Sequence, residues 1–424
     1  MTGSPGRGPR PGGGAARRPA LRAIGLVVVT LSVVAAAGIL QTRKHKSVRG
    51  ESVDGAATRS EQPRLVLGPA AGAAGVSVAD PVTVSTVSAV LDTVTLTDAQ
   101  GKQVPGDFDD ARRTWHSTAV LGYDQQYTLG AAGTGSDRTH LTQSSPFTTV
   151  KPAKLTVATL RANKHLLLTD RQTYGVGQPI VVNFDDKVSD RAVAERSLEV
   201  STEPHVDGAW HWFGDQEVHW RPQQYWKPGT KVTANANLYG KDLGGGTYVR
   251  NNTVASFSIG QSKIAVADDS TYHMKVFVDG QEVRDIPTAM GRHESIGSID
   301  LRTRSGPHIV LDNDRVVRMS SASFGLTGAD SYDTMVEWTT HISYEGEYVH
   351  AAPWSVAQQG HSDASHGCIN VNTDNAIWFY HTFGPGDVVD VRNTGVPLNP
   401  TDGLGDWTLS WDDWLKGSAY PRMK

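Results

Sequence analysis

The sequence predicts a mainly β protein: two β-sandwich blocks followed by a β-rich third block, all behind an apolar N-terminal segment. Three observations carry that prediction. Short runs rich in Val, Thr, Ile and aromatic residues recur between Gly-, Pro- and Asp-containing breaks from Leu65 to about Gly260. One helical pattern, Thr373–Thr382, stands out in the remainder, ended by Gly384-Pro385-Gly386. The uncharged stretch Ala23–Leu40 would span about 27 Å as a helix, close to the roughly 30 Å hydrocarbon core of a bilayer.

Taken in order, residues 1–22 are rich in Gly, Pro and Arg and read as a basic, disordered cytoplasmic segment. Residues 23–40 read as a transmembrane signal-anchor, oriented with the arginines before it inside. Ala35-Ala36-Ala37 keeps a cleaved signal peptide open as the alternative. Either reading places the rest of the chain outside the membrane. Residues 41–64 read as a polar linker.

The first block, 65–153, has candidate strands Val82–Val87, Val94–Leu96 and Tyr127–Ala131. The second, 154–260, has Ile180–Phe184, Leu198–Ser201, Val218–Trp220, Lys231–Leu238 and Ala255–Ile259. Its tryptophans Trp210, Trp212, Trp220 and Trp226 suit a packed sandwich core better than a sugar platform. Neither block concentrates chemistry, so both read as spacers. The third block, 261–393, mixes the strands Lys263–Val266, Met274–Val278 and Val388–Val391 with the helix. Glu345-Gly346 reads as a hairpin turn between Thr339–Tyr344 and Glu347–His350. The tail, 394–424, carries Trp407, Trp411 and Trp414 and is expected to pack back on the body.

Composition excludes several classes. The chain has 424 residues, 38% hydrophobic and 20% charged, as folded soluble domains do. Its first fifty residues carry +9 and no acid; subtracted from the net −4, that leaves −13 on the rest. An acidic body argues against a nucleic-acid binder. One cysteine excludes an internal disulfide and a four-thiolate zinc site.

That cysteine lies in Ser365-His366-Gly367-Cys368-Ile369-Asn370, with His350 eighteen residues upstream. A thiol is a poor nucleophile until a neighbouring imidazole draws off its proton. His350, at the end of the preceding strand, is the preferred base, and His366 is the second candidate. Gly367 permits a tight turn in which the Gly367 and Cys368 amides face a developing oxyanion. Ser365 and Asn370 offer neutral hydrogen bonds that leave the thiol pKa alone. Gathering His350, His361, His366 and Cys368 around zinc is disfavoured by their spacing. His361 and His381 read as solvated or capping residues.

His350-Ala351-Ala352-Pro353-Trp354 followed by the Ser365–Asn370 run resembles the signature of the L,D-transpeptidases, whose YkuD-type catalytic domain is a β-rich sandwich with a cysteine nucleophile. The two preceding blocks, as immunoglobulin-like domains, and the Gly403–Trp407 tail resemble the actinobacterial members. The resemblance implies 3→3 cross-linking of peptidoglycan stem peptides: Cys368 attacks a tetrapeptide donor, D-Ala leaves, and an acceptor amine takes the acyl group. It implies His350 as base, oriented through the Ala351 carbonyl. His366 and Gly367 shape the oxyanion site. Tyr332, Met319 and Trp354 line the lid and cleft. Carbapenem β-lactams are the implied inhibitors, and no cofactor or metal is required. Two rival classes remain, an exported cysteine peptidase that hydrolyses the acyl-enzyme and a non-catalytic wall-binding protein.

Overall fold

The computed structural model describes residues 61–328 and 331–420. The expected basic segment and signal-anchor therefore lie outside the described residues. Among the described residues no helix is long and apolar enough to cross a membrane.

Strand alternation builds the first sandwich. In Gln126–Gly135 the side chains of Tyr127, Leu129 and Ala131 point inward, while Gln126 and Thr128 face solvent. This strand is the centre of a three-stranded sheet with Ala89–Asp98 and His140–Thr148. Opposite lies the four-stranded sheet of Arg64–Gly68, Thr83–Val87, Thr114–Ser117 and Gly106–Phe108. Val84, Leu91, Leu96, Trp115 and Leu129 close the space between them.

The second sandwich pairs two four-stranded sheets, one centred on Lys231–Ala236 and Thr253–Ile259, the other on Glu217–Pro222 and Ile180–Phe184. All four tryptophans of this block are buried in its core, as the packing reading expects. A short helix, Arg191–Arg196, is capped by Asp190, which accepts the Val193 amide at 2.9 Å.

The third block holds a five-stranded sheet with Lys263–Asp268 beside Val388–Arg392, and a four-stranded sheet in the order Asp312–Ser320, Asp333–His341, Tyr348–Ala351, Ile369–Val371. The helix spans Thr373–Thr382 and is capped by Asn372; it buries Ala376 and Phe379 in the same core. The turn between the middle strands is wider than the sequence suggests, running from Ile342 to Glu347. Within it the Glu345 amide donates to Asp402 of the tail at 2.9 Å.

The two junctions between blocks differ in kind. Between the sandwiches, tyrosines do the joining. Tyr123 donates to the Val249 carbonyl at 3.0 Å and accepts the Gly240 amide at 2.8 Å, while Tyr239 donates to the Leu121 carbonyl at 2.5 Å. Between the second sandwich and the third block the core is continuous: Ile309, Leu311, Val388 and Leu404 pack into the second sandwich's cluster. The tail then laces across both. Trp414 is fully buried and donates its indole N–H to Ala209 at 2.9 Å, Trp407 donates to Gly177 at 2.7 Å, and His219 bonds Asp406 at 2.8 Å. The guanidinium of Arg221 lies among the rings of Trp407, Trp411 and Trp414. This corrects the reading of the second block as a spacer: it shares a core with the third.

Candidate active site

Parallel pairing of Tyr348–Ala351 with Ile369–Val371 sets Val349 opposite Ile369 and His350 opposite Asn370. The strand bearing the base and the strand that follows the nucleophile are therefore neighbours in one ladder. The hairpin Asp312–Ser320/Asp333–His341 pairs with that ladder only at Thr340 and His341, so its distal part overhangs as a flap. Met319 and Tyr332 sit near its tip.

Cys368 is half-buried and lines two cavities. The smaller, about 260 Å³, is walled by Met319, Tyr332, His350, Trp354, Ser365, His366, Cys368 and Asn370. The larger, about 510 Å³, shares Met319, Tyr332, His366 and Cys368, adds Gly367, and opens toward Arg302, Arg304, Tyr344 and Glu347. All nine sequence-predicted site residues thus line one or both cavities.

His350 is buried, and its Nδ1 bonds the Ala351 carbonyl at 2.9 Å. A carbonyl only accepts, so Nδ1 carries the hydrogen and Nε2 is left with a lone pair. Burial with no adjoining acid drives this imidazole down to about 4. Burial likewise drives the Cys368 thiol up to about 12; the Tyr348 amide works against this, and the nearby Glu347 carboxyl adds to it. The thiol donates to the Gly346 carbonyl at 3.7 Å. Both shifts oppose a resting thiolate–imidazolium pair, so the walls around Cys368 and His350 work against the ionised sulfur that the sequence leads one to expect.

The turn holding the cysteine is set by three bonds. Gly367 has φ +135°, a conformation strained for other residues. Ser365 donates to the Cys368 carbonyl at 2.6 Å and accepts the Gly367 amide at 3.1 Å. That second bond is a further correction, since the Gly367 amide expected to face the oxyanion is already committed, and the Cys368 amide is left for that task. The Gly367 carbonyl accepts from Thr303 at 2.7 Å.

His366 packs at a tilt of 47° against Tyr332, with ring centroids 5.0 Å apart, and its Nε2 accepts from Arg292 at 3.3 Å. Because an arginine can only donate, that nitrogen's lone pair is occupied, which favours His350 as base. Asn370 donates to Ser355 at 3.1 Å and lines the smaller cavity, and its Oδ1 is buried without a hydrogen-bond partner. Trp354 is exposed and lies 6.0 Å from the His350 ring. Among the described residues, His350, His361, His366 and Cys368 do not form a ligand cluster. His361 and His381 are exposed.

Two neighbours were missed from sequence. Glu347 is buried, its Oε2 makes no hydrogen bond and lies 3.7 Å from His308 Nδ1, and its carboxyl is pushed up to about 8, chiefly by burial. Its place three residues before His350, in the Glu345-Gly346-Glu347 turn, was the available signal. Arg292 had none, being 74 residues from the ring it holds.

Residues 73–242 match the bacterial Ig domain family, and residues 262–391 match the L,D-transpeptidase catalytic domain family. L,D-transpeptidase 2 of Mycobacterium tuberculosis is 40% identical over 360 residues, covering 84% of this chain and 85% of its own. L,D-transpeptidase 5 of the same species is 33% identical over 419 residues, 97% of this chain and 87% of its own. A solved structure of L,D-transpeptidase 3 from that species, with a faropenem-derived adduct, is 29% identical, covers 55% of this chain and 98% of its own, and gives a TM-score of 0.45.

Proposed function

The chain belongs to the L,D-transpeptidase family, and from that premise we propose that it forms 3→3 cross-links between peptidoglycan stem peptides through a Cys368 acyl-enzyme. The observation that carries the site assignment is the placement of Cys368 and His350 on one cavity wall, with the imidazole held in the tautomer that can accept a proton.

The thiol leaves the Gly346 carbonyl and passes its proton to His350 Nε2 as Sγ attacks the carbonyl carbon of the donor's third residue. Proton transfer accompanies attack, because a free thiolate and a free imidazolium are both disfavoured here. The Cys368 amide faces the oxyanion. As the intermediate collapses, the C–N bond breaks and the His350 proton goes to the departing D-Ala amine. The acceptor amine then attacks the thioester. His350 takes its proton, and the thiol leaves protonated.

Tyr332 and Met319 close over the donor from the flap, and His366, Ser365 and Asn370 hold the turn and the cavity wall in shape. A carbapenem acylates the same sulfur by ring opening. The Ala23–Leu40 segment anchors the chain, with the catalytic part outside the membrane at the wall. Its composition supports this, and mature protein beginning just after Ala37 would overturn it.

Intact mass with and without meropenem tests the chemistry. One drug mass should add to the chain and none to Cys368→Ala. A His350→Ala variant should acylate about 10²–10⁴-fold more slowly. An adduct on Cys368→Ala would overturn the nucleophile, and parental rates in His350→Ala the base. Mass spectrometry of digested wall fragments separates transfer from hydrolysis: dimers are expected, and trimmed tripeptides alone would replace transferase with peptidase.

A further inference from the structure

Outside the lining of both cavities, three ligand-type side chains from distant segments meet, one of them close in sequence to the cysteine turn. Asp269 follows the strand Lys263–Asp268, His293 follows Arg292, and Asp363 lies two residues before Ser365. One donor atom from each lies within 4.8 Å of the others. His293 Nε2 is 2.6 Å from Asp269 Oδ2 and 3.7 Å from Asp363 Oδ2. Asp363 Oδ1 accepts the Met290 amide at 3.0 Å, which fixes that carboxyl.

Asp269 is only 5% exposed, and its Oδ1 has no hydrogen-bond partner. Ligand oxygens of Asp363 and Asp269 also lie within 4.8 Å of each other, and burial followed by that neighbouring charge raises the Asp363 carboxyl. Two carboxylates at that range repel unless a proton or a cation stands between them. One imidazole and two carboxylates form a donor set suited to a borderline divalent ion, with room for water in the remaining position. Bond lengths of about 2.0–2.2 Å would set ligand atoms roughly 3.3 Å apart. The half-exposed His293 ring, 2.6 Å from Asp269 and 3.7 Å from Asp363, can shift to even out those two distances.

We propose that Asp269, His293 and Asp363 bind a divalent cation of the Zn²⁺ type, which braces the nucleophile loop. The ion ties the strand end at Asp269 to two segments that already pair: Ala364 and Ser365 donate to the Met290 carbonyl, and Arg292 donates to the Ser365 carbonyl. Both segments lead directly into the site, one through Arg292 to His366 and the other through Ser365 to Cys368. The ion's role is positioning, because none of its ligands lines either cavity.

The test is Zn²⁺ titration of the full chain carrying Cys368→Ala, so that the active-site thiol contributes nothing. After chelator dialysis, one Zn²⁺ per chain should bind and raise the melting temperature, and Ca²⁺ should bind more weakly. His293→Gln, a change at a half-exposed position, should weaken Zn²⁺ binding by at least about tenfold, the loss that even outer partners of a metal cause. Asp363→Asn should do the same. Equal Zn²⁺ affinity with and without His293→Gln would overturn the proposal. So would absence of binding, which would leave the acids sharing a proton.

Discussion

The second sandwich meets the catalytic block through a shared apolar core, whereas the first meets the second through the rings and hydroxyls of a few tyrosines. The contrast shows that similar sandwich domains serve unlike ends in one chain. Burial at the inner junction is apolar and extensive, so separating its halves would expose Ile309, Leu311, Val388 and Leu404 to water. At the outer junction Tyr123 and Tyr239 trade protein partners for water at small net cost. The inner pair is therefore expected to unfold as one cooperative unit, with the first sandwich contributing less to it.

The harshest way to break this comparison is truncation. A chain starting at residue 154 should fold and take up meropenem at the parental rate, and one starting at 261 should aggregate or melt far lower. Soluble, acylatable protein from the shorter version would show the junction to be dispensable.

Trp414→Ala comes next. Removing a fully buried indole should cost about 3–5 kcal/mol and lower the single melting transition. Two separate transitions in calorimetry would instead mean that the tail holds the halves together without making them one unit.

His219 gives a smaller, pH-dependent effect. Burial opposes its charge, but Asp406 and Glu217 outweigh that and raise it to about 10. With the folded value above the unfolded 6.5, this contribution is whole below pH 6.5 and drains away as pH climbs toward 10. The melting temperature should therefore fall over that window, and His219→Gln should flatten the fall. An unchanged slope would remove His219 from the account.

Tyr123→Phe should do least, about 1 kcal/mol at the outer junction, and leave acylation untouched. A large loss of acylation there would invert the ranking of the two junctions.

Much of this was legible from sequence because it is local. Ile180–Phe184 and Thr373–Thr382 appear with the boundaries their patterns suggest. Ser365 to Asn370 advertises its chemistry within six residues, and His350 reaches it through one ladder. What escaped the sequence is long-range. The Asp402 bond to the turn at Glu345 crosses 57 residues. The charge state of the thiol depends on walls assembled from four segments. Gly367 illustrates the division: its need for an unusual φ was readable, but the capture of its amide by Ser365 was not, because a side-chain rotamer decides it.

The sulfur opens onto two hollows, and in the proposed reaction that would bear on kinetic order. An incoming amine can take its place on one flank while what remains of the first peptide still fills the other, so the thioester need not wait for a vacated channel. On that chemistry, double displacement would need no obligatory empty interval, and water would have to enter an occupied chamber to intercept the acyl group.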